Sequence, residues 1–290
     1  VKIGDYYSQW LNLAAGFPQG TWLGPLAFVR LIDNLQPSCE TDKFVDDVTL
    51  TETLYLLDTP SRMKLFGDEL AQWATDNYMI VNYNKTKEMV LGRLRGRPPP
   101  ALSVSGNSIE RVTCFKLLGV HVSNDLRWDK HIQSIATKVN SRLYYLKLLK
   151  RAGLSTDELR SFYCTVIRPV LEYACVVWHH GLTQAQCDLL EALQKRALRI
   201  IFGQVVIGMP YRYVLQYSKM ESLSHRRAAL GQTFFDSVCE PDNCLNDLLK
   251  SKRSPSVIGR LRHAFKYEVP RNRTDRYCSF INYALANYQK

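Results

Sequence analysis

The stretch KFVDDVTL, Lys43 to Leu50, decides the reading of the fold. Phe44 and Val45 come first, then Asp46 and Asp47 side by side, then Val48, Thr49 and Leu50. Apolar and β-branched residues on either side of the acidic pair predict two strands folded about a tight turn at the aspartates. Adjacent carboxylates repel each other and resist burial, so such a turn is costly unless a cation neutralises it. A divalent metal is the usual cation. Taken alone, the dipeptide is more readily an ordinary solvated Asp-Asp turn.

Outward from the hairpin, punctuation and periodicity lay out the rest. Upstream, GFPQGTWLG (residues 16–24) reads as a loop broken by glycine and proline. Pro25 then suits a first helical turn, and an apolar helix runs to about Asn34. Downstream of Pro60, the recurrence of Met63, Phe66, Leu70 and Trp73 predicts an amphipathic helix ending near Asn77. MIVNYNKTKEMVLG (79–92) reads as a short strand, a turn and an alternating strand. GRLRGRPPP (92–100) is a solvated loop, LSVSGNSIERV (102–112) a hairpin turning at Gly106-Asn107, and CFKLLGVHVS (114–123) another strand. To about Asn124 this is one α+β unit.

Helices dominate thereafter. Ile132, Ile135, Val139, Leu143, Leu146 and Leu149 draw a single apolar face. Ser155 with Glu158, and Thr183 with Gln186, have the spacing of capping boxes, for one helix broken at Pro169 and another that stops at Gly203. Lys195, Arg196 and Arg199 share the latter helix. Between Lys250 and Arg276 nine basic residues stand against two acidic ones. No fixed-period repeat is visible.

The chain has 290 residues, 46% of them hydrophobic, and a formal charge of +11. That length and apolar content suffice for two or three cores, and the charge favours an anionic partner such as nucleic acid. Eight cysteines fall at irregular spacings without a CxxC pair, which argues against a zinc site and against a disulfide-linked partner. No apolar run is long enough for a membrane span and no leader opens the chain, so the expected setting is reducing and intracellular, nucleus or cytoplasm. Val1 rather than Met, with no cap or turn before the opening stretch, suggests a missing upstream part. None of the six histidines shows ligand spacing, although Trp128 and His131 form a W-x-x-H feature.

GFPQGTWLGPLAF, then FVDD, then NYNKTKEM, then FKLLGV succeed one another with gaps that closely resemble reverse transcriptases of non-LTR retrotransposons. LRWDKHI, IRPVLEYACVVW, ALQKRALRIIFG and YEVPRNRT are similar to the region C-terminal to the polymerase palm in such elements. The resemblance covers nearly the whole chain. It implies an α+β fold: a partial palm, an antiparallel sheet with helices, over 1–124; an all-helical thumb-like region over 125–204; and a helical, basic C-terminal segment over 205–290.

It also implies RNA-directed DNA polymerisation, with an RNA template, a DNA primer and dNTPs as partners and two Mg²⁺ ions as cofactor. In-line phosphoryl transfer of this kind uses a metal pair to stabilise attacking and leaving oxygens. On that reading Asp46 is a metal ligand and Asp47 its less directly coordinating neighbour. Phe44 keeps the ring of the family's usual Tyr but lacks the hydroxyl. Gly16, Pro18, Gln19 and Gly20 match the block beside the templating base and incoming nucleotide, with Phe17 replacing a small aliphatic. Lys85 falls where the family has a lysine near the triphosphate. Phe115, Leu118 and Gly119 match the hairpin that grips the primer end.

The family's further catalytic aspartate lies well upstream of the GxPQG block, and Asp5, a dozen residues before it, does not fit that place. The chain by itself is therefore expected to be catalytically incomplete. A non-catalytic RNA- or DNA-binding module and an unselected retroelement remnant are the alternatives.

Overall fold

In a computed structural model the described residues are 2–9, 20–54, 60–92, 99–249, 252–253, 265–269 and 279–289. The chain divides into two compact units, 1–112 and 113–290. Short strands and helices alternate in the first and helices fill the second, so the α+β class read from the sequence holds.

In the first unit β1 (Lys2–Ile3) pairs with β2 (Tyr6–Tyr7), and α1 (Leu23–Asp33) begins beside Pro25. Next comes the acidic hairpin, β3 (Glu40–Phe44) antiparallel to β4 (Asp47–Thr51), with Phe44 opposite Asp47. The ammonium of Lys43 donates to the carbonyls of Ile32 and Asp33 at 3.0 and 3.1 Å. A cation at a helix C-terminus complements the macrodipole and ties the hairpin to α1.

Helix α2 (Met63–Asp76) ends one residue before the predicted Asn77 and buries Phe66, Ala71 and Ala74. It is anchored at both ends: Glu52 accepts from Ser61 Oγ and the Arg62 N–H near its start, and Trp73 Nε1 donates to Asn34 Oδ1 at 2.9 Å. Its Gly67 lets it lie directly on β6 (Ser103–Val104), which pairs with β7 (Asn107–Ser108). A Cβ at Gly67 would stand 2.5 Å from Val104 Cγ2. Valine is stiff at χ1 and cannot simply swing aside. Gly67→Ala is therefore expected to destabilise this unit by about 1–3 kcal/mol, the usual cost of overpacking. Urea unfolding followed by fluorescence reads it, and an unchanged midpoint would contradict the close approach.

Three expectations for this unit are corrected. The hairpin at 102–112 turns at Ser105-Gly106 rather than Gly106-Asn107, because both central residues of its two-residue loop take positive φ, 48° and 80°, the type I′ geometry in which glycine is favoured second. Residues 79–82 form no strand: Tyr78 leaves α2 at φ 56°, and the Val81 and Asn82 carbonyls accept from Tyr83, Lys85 and Thr86 in local turns. The expected antiparallel sheet is present only as separate two-stranded ladders among the described residues, and one of them, β5 (Lys87–Glu88) with β8 (Glu110–Arg111), is parallel. That ladder is reinforced by cross-strand ion pairs of Lys87 with Glu110 and Arg111 with Glu88.

The second unit opens on β9 (Cys114–Leu117) and β10 (Val120–Ser123), a hairpin where the residue pattern alone predicted a single strand and the resemblance implied a hairpin. The chain reverses because Leu118 and Gly119 take φ of 45° and 88°, again a type I′ loop. Val120 is buried in the helical core, so this hairpin lies with residues 113–290 and not with the first unit.

Helix α3 (Asp129–Arg151) buries the predicted Ile132, Ile135, Val139, Leu143 and Leu146. Both capping boxes form, at the starts of α4 (Thr156–Phe162) and α7 (Gln184–Phe202). Before Pro169 the helix widens into a π-turn over Tyr163–Ile167, where the Arg168 N–H reaches back to the Tyr163 carbonyl. Proline in a regular helix crowds the carbonyl four residues earlier, and the wider spacing relieves that clash. Helices α5 (Arg168–Glu172) and α6 (Cys175–Trp178) come next. Helix α7 stops at Gly203, φ 61°, and lays Leu190, Leu193, Ala197, Leu198 and Ile201 into the same core as α3.

Helices α8 (Tyr211–Ser218) and α9 (Leu223–Val238) are pinned to α7 by a buried polar chain. Tyr163 donates to Gln194 Oε1, Gln194 Nε2 donates to Tyr211 Oη and the Glu221 carbonyl, and Glu191 accepts from Tyr211 and the Ser224 N–H. Every polar group in it has a partner, the condition under which such networks specify a core. A last helix, Phe280–Asn287, packs Ala284 and Leu285 on Phe235.

Candidate active site

The β3–β4 hairpin presents the acidic pair as the sequence predicts. Asp46 occupies the two-residue loop with Val45, and Asp47 opens β4 directly opposite Phe44. Directly opposed residues project to one face of a hairpin, so Phe44 and Asp47 share a side. Phe44 and Val45 are 60% and 56% exposed, and both aspartates are exposed. Neither carboxylate forms an ion pair or hydrogen bond among the described residues. The doublet is thus not locked to an arginine.

Val45 takes φ 55°. The left-handed region costs an L-residue about 1–2 kcal/mol, and a β-branched side chain suits it poorly. The tip of the acidic hairpin is therefore held in a strained conformation by its neighbours. Val45→Asn, a residue that tolerates this region, is expected to stabilise the hairpin by about 1 kcal/mol. Slower amide exchange at Lys43 and Val48 checks it; unchanged or faster exchange contradicts it.

Exposed carboxylate oxygens free of protein cations are hard donors of the kind Mg²⁺ takes, and that ion is commonly held by one or two carboxylates with water and substrate phosphates completing the shell. The donor set fits Mg²⁺ in chemistry, though among the described residues no three metal-ligating side chains gather.

Lys85 is exposed in a turn before β5, its N–H bonded to Asn82. It makes no ion pair among the described residues. Gly20 has φ 78° with open space around it, while Gly16, Pro18 and Gln19 lie outside the described residues. Phe115, Leu118 and Gly119 sit on the β9–β10 hairpin in the second unit, Phe115 and Leu118 37% and 42% exposed.

Tyr173, which lies within the IRPVLEYACVVW block but was given no role there, clamps this hairpin. Its hydroxyl donates to the Leu118 carbonyl at 2.7 Å, and its ring lies so close that a Cβ at Gly119 would stand 3.1 Å from Cε1. Glycine is thus favoured by φ, and a larger residue here would also have to shift the Tyr173 ring by a few tenths of an ångström. Nothing in the local pattern marks Tyr173, because the contact spans 55 residues.

Among the other candidates, one is structural. His131, of the W-x-x-H feature, is 3% exposed between Trp128 and Trp178, with ring centres 6.1 and 5.5 Å away. Its Nδ1 accepts the His121 N–H at 3.3 Å, and burial pushes its pKa down to about 4. Of the basic residues on α7, Lys195 lies over the Tyr211 ring and Arg196 donates to Asn140, while Arg199 is exposed. Most of the basic stretch 250–276 lies outside the described residues.

Nearly the whole chain aligns with proteins of mobile elements. It is 25% identical over 287 residues to the probable RNA-directed DNA polymerase from transposon X-element of Drosophila melanogaster, an alignment covering 95% of this chain and 29% of that protein. With the RNA-directed DNA polymerase from mobile element jockey of the same fly it shares 27% identity over 219 residues, 70% of this chain and 23% of the relative. With the jockey polymerase of Drosophila funebris the identity is 23% over 280 residues, 91% of this chain and 30% of the relative. The chain thus spans 30% or less of the length of these relatives. No family model and no solved structure matches it. The order of motifs and the length of these alignments agree: over nearly all of its length the chain is similar in sequence to the RNA-directed DNA polymerases of such mobile elements, the non-LTR retrotransposons.

Proposed function

We propose that this chain is the later part of the polymerase region of a retroelement reverse transcriptase, with the β3–β4 hairpin as its metal-holding turn. The observation that supports this most directly is the hairpin itself: Asp46 and Asp47 stand exposed at a strained tip, without a protein cation among the described residues, inside a chain related to RNA-directed DNA polymerases. When bound there, Mg²⁺ would neutralise charge on transferring phosphoryl oxygens.

The protein's own residues then divide the remaining work. Asp46 and Asp47 supply oxygen donors, and Phe44 offers its exposed ring beside Asp47 to a base or sugar. Gly16, Pro18, Gln19 and Gly20 lie along template and nucleotide, Gln19 offering both a donor and an acceptor. Lys85 places an ammonium near the triphosphate, where it stabilises developing negative charge. Phe115, Leu118 and Gly119, clamped by Tyr173, lie against the primer end. Residues up to about 124 are assigned to the palm-like part, although the β9–β10 hairpin packs with the helical unit, 125–204 to the thumb-like part, and 205–290 contribute basic residues toward RNA template and DNA primer.

Two carboxylates with no third ligand among the described residues hold neither ion of a metal pair with full geometry. The chain by itself is therefore expected to incorporate no dNTP on a primed RNA template in the presence of Mg²⁺. Primer extension on a denaturing gel measures this. Robust product that disappears in Asp46→Asn would overturn the incompleteness while upholding the role of the hairpin; product that persists in Asp46→Asn would overturn both.

A further inference from the structure

Arg227 is fully buried, at 0% exposure, in the first turns of α9. Its Nε donates to His179 Nδ1 at 3.3 Å, and its guanidinium lies 5.6 Å from the centre of the Trp178 ring. Both terminal nitrogens, Nη1 and Nη2, have no hydrogen-bond partner among the described residues. Arginine does not lose its proton in proteins, so a full positive charge sits in the core with most of its donors unused. An uncompensated buried charge costs several kcal/mol.

The carboxylates of Glu191 and Glu172 favour its charge through space, but burial outweighs them and their oxygens are committed elsewhere. Glu172 is held by Arg226, and Glu191 by Tyr211 and the Ser224 N–H. Neither forms an ion pair with Arg227. Burial pushes the thiols of Cys175 and Cys187 up, which keeps both neutral. Yet Arg227, Cys175, His179, Gly231, Tyr283 and Tyr288 line a cleft with about 10 Å³ of free space, enough for a single water-sized particle. Water would satisfy donors but leave the charge; a monatomic anion does both.

We propose that this cleft is a structural halide site, in which chloride accepts from Nη1 and Nη2 of Arg227 and neutralises it within the helical core. The proposal is independent of the polymerase reading. Its ligand binds only the folded chain and so raises stability by mass action.

The test is thermal unfolding of the full chain in mixtures of sodium chloride and sodium gluconate at constant ionic strength. The wild-type midpoint is expected to rise saturably with chloride, by about 3–6 °C at ten times the dissociation constant, and bromide to substitute for chloride. Arg227→Met, which keeps the length and apolar stem, is expected to lose that dependence. Because this variant risks unfolding, the chlorine NMR linewidth of a chloride solution containing wild-type protein serves as a second readout: broadening that bromide reverses supports the site. A wild-type midpoint indifferent to the choice of anion together with an unbroadened line, or an undiminished chloride effect in folded Arg227→Met, would overturn it.

Discussion

Replacing Trp178 with alanine is expected to remove most of the stability of the helical unit. The indole is 0% exposed, and it joins three parts of that unit: its Nε1 donates to the Tyr173 carbonyl at 3.0 Å, His131 from α3 meets it edge-on, and Arg227 from α9 lies over its ring. Truncating a buried tryptophan to alanine costs about 3–5 kcal/mol in lost burial and cavity. The orphaned Tyr173 carbonyl adds about 1 kcal/mol, and Arg227 loses a favourable face. Against a total of about 5–15 kcal/mol for a domain, the sum leaves little or nothing. Urea denaturation followed by far-ultraviolet circular dichroism should show a collapsed midpoint or no cooperative transition, while Trp178→Phe keeps most of the transition. An alanine variant within about 1 kcal/mol of wild type would mean that the three helices do not depend on this contact. Because Tyr173 also clamps the Leu118-Gly119 loop, partial unfolding here should loosen that hairpin as well.

Legibility in the sequence divides along the range of the interactions concerned. Helices α3, α4 and α7 were legible because their signals are local: apolar residues three and four apart on one face, and a Ser or Thr three residues before Glu or Gln that forms the capping box. The acidic hairpin was legible for the same reason, its turn lying within the quoted run. Pairing was harder, since register depends on partners distant in sequence. The second strand run, CFKLLGVHVS, hid a reversal marked only by Gly119, with Leu118 taking positive φ against its preference. Residues 79–82 looked like a strand by composition, but local turns used their carbonyls first.

At the candidate site, the proposal for Asp46 and Asp47 starts from the chemistry of adjacent carboxylates and is completed by the order of motifs, whereas the roles proposed for Lys85, Gly20 and Phe115 come only from that order along the chain. The strain at Val45, the clamp by Tyr173 and the burial of Arg227 had no sequence signal, since each is imposed by tertiary neighbours. Arg227 in particular reads as one of two consecutive arginines on a helix, and only the fold separates Arg226, paired with Glu172, from its buried neighbour.

The same core makes the helical unit sensitive to acid. Burial pushes the pKa of His131 down from 6.5 to about 4, helped by His121 and Lys138, and that of His179 down to about 4, helped by Arg227 and His180. Both act as acceptors: His131 Nδ1 takes the His121 N–H, and His179 Nδ1 takes Arg227 Nε. Protonation would remove each acceptor and, at His179, set a second cation beside Arg227. In the unfolded chain both imidazoles protonate near pH 6.5, but in the folded chain only near pH 4, so between these values the unfolded state binds more protons. Stability is therefore fully present above about pH 6.5, falls as pH drops through the window, and levels off below about 4. The loss is on the order of 3 kcal/mol for His131 and less for the half-buried His179. Urea midpoints at about pH 7.5, 6, 5 and 4.5 should trace this decline. His131→Gln, which keeps an acceptor but cannot titrate, is expected to lower stability at about pH 7.5 through lost packing yet flatten the pH dependence by more than half. If the variant declines as steeply as wild type, other groups govern the acid response.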